Sequence, residues 1–600
     1  MRTRYLLTTL LCANLLLTSG LSGLAQTNSS LLSGIDPQTS SVHHLMTQFY
    51  ADRGSLTRFY TVTGSPERRI RFQQFYGDYL KRLEQLDFER MNTDSRVDYL
   101  LFQRDLQEQI NKLTDEASER EQIKAWFPFA DSVYAVEKRR RRGQVLRPEQ
   151  FAKNLTDMDQ QISKLQGELK KETKLNPTLI LRAISTAEGL QTALRSVYSF
   201  YNHYEPGFSW WVPQPYQKVD SLLTAYTSLL RRKSREAAPV KDDGSGITGV
   251  AVGREELLRQ LQIEMIPYSP EELIDMANKE FAWCDRELLK ASREMGFGDN
   301  WKAAQEKVKN SYVPAGRQPE LILRLFNESV AFLKAKDLIT IPAIAEETWR
   351  MTMMSPERQL VNPFFLGGEA IQISYPTETM EHPDKLMSMR GNNPHFSRAT
   401  VHHELIAGHH LQGFMNNRYK VYRHFDTPFW TEGWALYWEM LLWEQGFPQS
   451  PEDRIGMLFW RMHRCARIIF SLNYHLGKWG PQQCIDFLVD RVGHERANAE
   501  GEVRRSFIGG YPPLYQLAYM TGGFQFLALK KELVDSGRMT YKQFHDAVLQ
   551  INAMPVEMIR AILTDQKLPK NFKTKWRFYE LKSSAQSANV ENVSEKKPRG

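Results

Sequence analysis

Cysteine is scarce in this chain: there are four in 600 residues. Cys12 falls in an apolar leader, which leaves Cys284, Cys465 and Cys484, an odd number that excludes a disulfide scaffold. A Cys465–Cys484 bridge is conceivable in an oxidising compartment, but three buried free thiols is the expectation. Charge of one sign is also lacking. Lysine and arginine total 78 against 70 aspartates and glutamates, a formal charge of +8 that falls by two when Arg2 and Arg4 leave with the leader. The one dense basic run, Lys138-Arg139-Arg140-Arg141-Arg142, has no aromatic platform beside it in sequence. It is expected to be a solvated helix end or loop, and nucleic acid is not an expected partner. After the leader no stretch has the length and apolarity of a membrane span, so no stable membrane insertion is expected. Internal repeats are absent. The glycine-rich stretch 241–249 has no preceding strand and no correctly placed lysine, so it is a surface connection and not a phosphate cradle.

The leader itself, residues 1–25, has the form of a signal peptide: Arg2 and Arg4, then the apolar run Leu6 to Leu17, then Gly23-Leu24-Ala25. No cysteine follows the expected cut, so a lipid anchor is not expected, and the mature protein should be exported to the periplasm or beyond. Hydrophobic residues at 42% are enough for a substantial core. Residues 26–360 are expected to form an N-terminal helical region and 361–580 a metal-site region continuous with it. Residues 581–600 are polar and are expected to form a disordered tail.

The fold class is mainly α. Ile70 to Leu86, Ser95 to Leu113, Pro148 to Leu169 and Asn176 to Ser199 carry apolar residues at three- and four-residue spacing. Helices are also expected over Arg454–Leu476, Gln482–Val492, Leu514–Ser536 and Tyr541–Gln550. The aromatic stretch Tyr201 to Trp211 is expected to be a packed connection between helices. Phe365 to Tyr375 alternates apolar with small or polar residues, as a strand does.

Histidine is concentrated. His402, His403, His409 and His410 are four of fourteen, and Glu404 follows directly. Imidazole is the commonest neutral zinc ligand, and a neighbouring carboxylate suits a general base. The usual His-Glu-x-x-His spacing is missing, because the residue four after His403 is Ala407. On a regular helix His409 would point about 120° away from His403, and His410 would lie roughly 10 Å along the axis. Neither arrangement lets two nitrogens come within about 2.1 Å of one ion. The metal reading therefore requires a break near Gly408. Which of His409 and His410 comes round is left open.

A second stretch, Asp426 to Glu439, begins with Thr427 as cap and Pro428 at the first helical position. Its four large aromatic residues from Trp430 to Trp438 imply burial. Glu432 and Glu439 share one face, and buried carboxylates need a cation or a hydrogen-bond partner. Two histidines and such a carboxylate make an open zinc site.

His403, Glu404 and Gly408 to Gln412, followed by Glu432-Gly433-Trp434-Ala435, Tyr437 and Glu439, resemble the bacterial domain-of-unknown-function 885 family, which is grouped with gluzincin-like metallopeptidases. The resemblance runs from about residue 40 to about 575. Ala407 stands where that pattern has proline, and Ser471 where it has aspartate. The resemblance implies a large multi-helix gluzincin-like fold with a small β element beside the metal helix. It also implies an edge strand that would pair with a substrate backbone, with Gly367 and Gly368 allowing close approach. The expected roles are as follows. One zinc ion is held by His403, His409 (or His410) and Glu432, with Glu439 and Gln412 orienting these ligands. Glu404 is the general base, and Tyr519 and His475 are donors to the oxyanion. Arg464 and Arg467 bind a substrate carboxylate, or bridge helices. The expected activity is hydrolysis of peptide bonds in oligopeptides. The alternatives are a binding scaffold that has lost its metal and a zinc hydrolase of a non-peptide amide or ester.

Overall fold

Prolines in this chain mark where helices start. Ser65-Pro66, Asn176-Pro177, Ser269-Pro270, Asn393-Pro394, Thr427-Pro428 and Ser450-Pro451 all open helices in the same way. The side-chain oxygen of the first residue accepts from a backbone N–H of the first turn, and the proline presets φ where no N–H is needed. The computed structural model describes residues 40–172, 175–236, 243–359, 362 and 364–581. The leader, 1–25, and the tail from 582 lie outside the described residues.

Four helices form an outer bundle: α1 (Ala130–Arg140), α2 (Pro148–Lys171), α3 (Pro177–Tyr201) and α4 (Pro213–Glu236). They enclose a core of their own, with Leu155, Ile162, Leu190, Leu194, Leu223 and Leu230 almost wholly buried. The basic run lies at the end of α1. Arg141 is not solvated there: it bridges Glu67 and Glu137. The aromatic stretch does connect helices, through a short helix of its own (Pro206–Trp211) capped by Glu205, but only part of it packs: Phe208 is buried, and Tyr204 and Trp210 are exposed.

Two further cores build the body. One joins residues of the first hundred to Trp434, Phe526 and Met558. The other joins Leu257, Phe281 and Leu288 to Phe459, Phe470 and Leu517. Both draw on residues from either side of position 360. Among the described residues the chain is mainly helical, with a small parallel pair of strands, β1 (Arg350–Met353) and β2 (Ala370–Ile373). The strand is shorter than the alternation of Phe365 to Tyr375 predicts. Gly367 and Gly368 form the turn before β2, closed by a bridge between Leu366 and Gln372. Glycine contributes no side chain to a pleat and weakens pairing, so the strand begins only past the pair.

Six helices carry the site: α5 (Pro394–Glu404), α6 (His409–Asn416), α7 (Pro428–Glu444), α8 (Pro451–His475), α9 (Arg496–Ile508) and α10 (Tyr515–Leu533). Helices α7 and α10 approach so closely that glycine is required on both. A Cβ on Gly433 would lie 2.6 Å from the Gly522 Cα, and one on Gly522 would lie 2.1 Å from the Phe429 carbonyl oxygen. That contact sets Glu432 of α7 against the tyrosines of α10. Cys284, Cys465 and Cys484 are buried and free. No helix among the described residues is long and apolar enough to cross a membrane.

Candidate metal centre

The histidine stretch is not one helix. Helix α5 stops at Glu404, Leu405 to Gly408 turn, and α6 starts at His409. Gly408 caps α6 in a position no other residue could occupy, because a Cβ there would lie 1.7 Å from the His403 carbonyl oxygen. Its N–H donates to the His402 carbonyl at 3.0 Å. The Trp434 indole donates to the Ala407 carbonyl at 2.8 Å, which ties the turn to α7. Through this turn the chain reverses enough for His409 to face His403, their ring centroids 4.9 Å apart. His410 faces the other way and donates from Nε2 to the Ala345 carbonyl at 2.8 Å. Of the two candidates it is His409 that meets His403.

Glu432 closes the triangle. Its Oε2 lies 3.2 Å from His409 Nε2 and 3.6 Å from His403 Nε2. Ligands held about 2.0–2.1 Å from a tetrahedral zinc sit roughly 3.3 Å from one another, so this donor set fits the ion in type and spacing. Glu404 stands just behind. One ligand atom from each of His403, Glu404 and His409 lies within 4.8 Å of the other two. Glu432 has the shorter contacts to both imidazoles, so it is the better ligand, and Glu404 is left as the free carboxylate beside them.

The ligands are themselves held. His403 Nδ1 meets Glu439 Oε1 at 2.7 Å, and His409 Nδ1 meets Gln412 Oε1 at 3.4 Å. An imidazole tethered at one nitrogen presents the other in a fixed tautomer and direction. Tyr515 donates to Glu432 Oε1. Gly367 supports Glu404 by its lack of a side chain, since a Cβ there would lie 2.2 Å from Glu404 Oε2.

The electrostatics favour a cation. Burial alone would lower His409, but Glu432 and Glu404 carry it up to about 9. His403 is likewise raised against its burial by Glu432 and Glu439. Burial would raise Glu432, and the two imidazoles hold it well below the carboxylate range. Burial pushes Glu404 up, and the two imidazoles offset that only in part. A field that draws protons onto two rings between carboxylates draws a metal ion to the same place.

These groups open onto a cavity of about 640 Å³, whose lining also includes Gly367, Gly368, Arg464, Arg467, Tyr515 and Tyr519. Tyr519 packs over His403 with centroids 6.2 Å apart. Burial raises its hydroxyl to about 12, so it stays a donor at neutral pH. Arg464 reaches Glu439 at 3.2 Å and Arg467 reaches Glu502 at 2.7 Å. His475 does not come to the cavity. It lies at the end of α8 beside Tyr474 and Phe507, and burial lowers it to about 4. A donor placed there cannot reach a reacting group, so its expected role is withdrawn.

Two residues of the wall, Tyr515 and Arg505, and Glu502 behind it were not singled out in the sequence. Tyr515 lies one turn before Tyr519, and that i, i+4 spacing on an apolar helix was the available signal. Glu502 and Arg505 lie three apart on α9, and both are buried. Their signal was weaker, because charged pairs at that spacing usually lie on a solvated face.

Two solved structures share the fold. A "putative lipoprotein of unknown function" from Shewanella oneidensis aligns over 88% of this chain and all of its own, with TM-score 0.64 and 15% identity. A "putative lipoprotein" from Colwellia psychrerythraea aligns over 88% of this chain and 98% of its own, with TM-score 0.55 and 15% identity. No curated protein matches. The model for "Bacterial protein of unknown function (DUF885)" matches residues 60–563, and the chain belongs to that family.

Proposed function

We propose that this protein is an exported zinc-dependent hydrolase that cuts amide bonds in oligopeptides, with a gluzincin-like arrangement of its site. One observation carries the reading: Glu432 Oε2 stands 3.2 Å from His409 Nε2 and 3.6 Å from His403 Nε2, with Glu404 free beside them. His403, His409 and Glu432 would hold the ion, which when bound supplies Lewis acidity and makes water acidic enough to attack near neutral pH.

Glu404 takes the proton of the attacking water and hands it to the leaving nitrogen. Gly367, having no side chain, leaves the space that this carboxylate occupies. Tyr519 lines the same cavity and supplies a hydroxyl donor for charge that develops on the substrate oxygen, while the Tyr515 hydroxyl stays on Glu432. Glu439 and Gln412 keep the two imidazoles in register throughout. The cavity is a pocket and not a flat surface, which favours short peptides over folded proteins. The leader-like residues 1–25 and the lipoprotein titles of the two similar structures support export.

Metal content and turnover test this together. Protein grown with zinc should carry about one zinc per chain and cut members of a peptide library, and Glu404→Gln should keep the zinc and lose the cutting. Less than about half a zinc per chain, with no cutting, would favour a binding scaffold. Cutting confined to esters or non-peptide amides would move the substrate class.

A further inference from the structure

Arg464, Arg467 and Arg505 stand together along one wall of the metal cavity, and all three are buried. Arg464 and Arg467 both stand against the Tyr519 ring, 4.6 and 4.4 Å from its centroid, and Arg505 lies 4.8 Å from that of Tyr511. Helix bridging accounts for only part of their hydrogen-bonding capacity. Glu439 takes one nitrogen of Arg464, and Glu502 takes one of Arg467, with Arg505 at 3.8 Å. Arg464 Nε, Arg467 Nη1 and Arg505 Nε have no partner although they are buried. Those nitrogens are closed off from the cavity, so an anion held there meets the other N–H groups of the three guanidiniums that line it.

Charge points to the same ligand. The carboxylates of Glu404 and Glu432 in the lining, and of Glu439 and Glu502 behind it, meet these three guanidiniums, Asp426 and Arg358 of the lining offset each other, and a divalent ion leaves one positive charge over. One carboxylate from the substrate would balance it. Arg464 is separated from His403 only by the Glu439 carboxylate that both touch. The receptor therefore lies about one residue from the metal ligands. Every peptide places its terminal carboxylate at that range from its last amide, whereas an aspartate or glutamate side chain places one there only in some sequences.

We propose that Arg464, Arg467 and Arg505 bind the free C-terminal carboxylate of the substrate, which makes the protein an exopeptidase working from the carboxyl end. This rests on the hydrolase reading above, and it adds the polarity of cleavage. The guanidinium planes offer paired N–H donors to the two carboxylate oxygens.

The test uses one random tetrapeptide library in two forms, free acid and C-terminal amide. First, zinc-loaded protein digests both, read by mass spectrometry. Loss of one or two C-terminal residues from the acid, with kcat/KM at least about tenfold lower on the amide, is expected from charge-assisted hydrogen bonds. Second, immobilised Glu404→Gln protein captures both libraries at equilibrium. Enrichment of the acid form is expected, and Arg505→Gln in that background should narrow the acid-to-amide ratio about tenfold, with Arg505→Lys restoring part of it. Capture decides the proposal even if nothing is cut, so failure of the hydrolase reading is told apart from failure of the carboxylate receptor. Equal capture of acid and amide, capture of neither, or cutting of both at internal bonds would overturn it. So would an Arg505→Gln ratio equal to that of the parent.

Discussion

In the outer bundle, helices α1 to α4 bury leucine, isoleucine and alanine against one another, and few charged side chains go inside with them. In the body, α5 to α10 bury Glu432, Glu439, Glu502, Arg464, Arg467, His403 and His463. The first arrangement follows from area removed from water and tolerates imperfect placement. The second holds only if each charge meets its partner, because burying a lone charge destabilises whereas burying a methyl group stabilises. The difference teaches where to look for chemistry: ion pairs are arranged here at some expense of stability, around a cavity that opens on two facing imidazoles.

The largest effect that can break this comparison is on turnover. Glu404→Gln keeps the shape and the metal ligands but removes the base, and should lower kcat by about a thousandfold with thermal stability unchanged. Steady-state kinetics beside a melting curve checks both halves. Next comes the turn. Gly408→Ala drives a Cβ into the His403 carbonyl, and should destabilise by about 3 kcal/mol and abolish zinc binding together, measured by denaturant titration and metal analysis. An alanine at Leu190 in the outer bundle provides the contrast. It should cost about 2–5 kcal/mol and leave zinc per folded chain unchanged. If Leu190→Ala also strips the metal, the two regions are not independent.

Much of the fold was legible in the sequence, because amphipathic spacing and Ser/Asn/Thr-Pro starts report directly on helices. Thr427 and Pro428 open α7 where the pattern places them. The strand was overextended because alternation does not reveal that Gly367 and Gly368 must turn. In the site, His403, Glu404 and Glu432 could be read from residue type and spacing. The choice of His409 over His410 could not. It depends on the direction in which α6 leaves Gly408, and that is set by a carbonyl contact within the turn and by the indole of Trp434 on another helix. His475 misled because a motif fixes its place on α8 but not which side of that helix faces the cavity.

Smaller effects sharpen the account. Glu439→Gln should weaken zinc affinity about tenfold to a hundredfold through its hold on His403, read by competition with a chelator. The acid limb of stability supplies the least. Burial would raise Glu502, but Arg467 and Arg505 hold it down at about 2, against an ordinary 4.5. A carboxyl with a depressed folded pKa stabilises above the ordinary value, and that contribution is lost as pH falls from about 4.5 through 2. Chemical denaturation across that window should show a shallower decline for Glu502→Gln than for the parent.

The most direct measurement is zinc-edge X-ray absorption of the zinc-loaded protein beside His409→Ala and His410→Ala. The account predicts two imidazole nitrogens and carboxylate oxygen about 2.0–2.1 Å from zinc in the parent. It also predicts one imidazole lost in His409→Ala and none in His410→Ala. A chain that takes up no zinc, or that loses an imidazole only when His410 is removed, would contradict it.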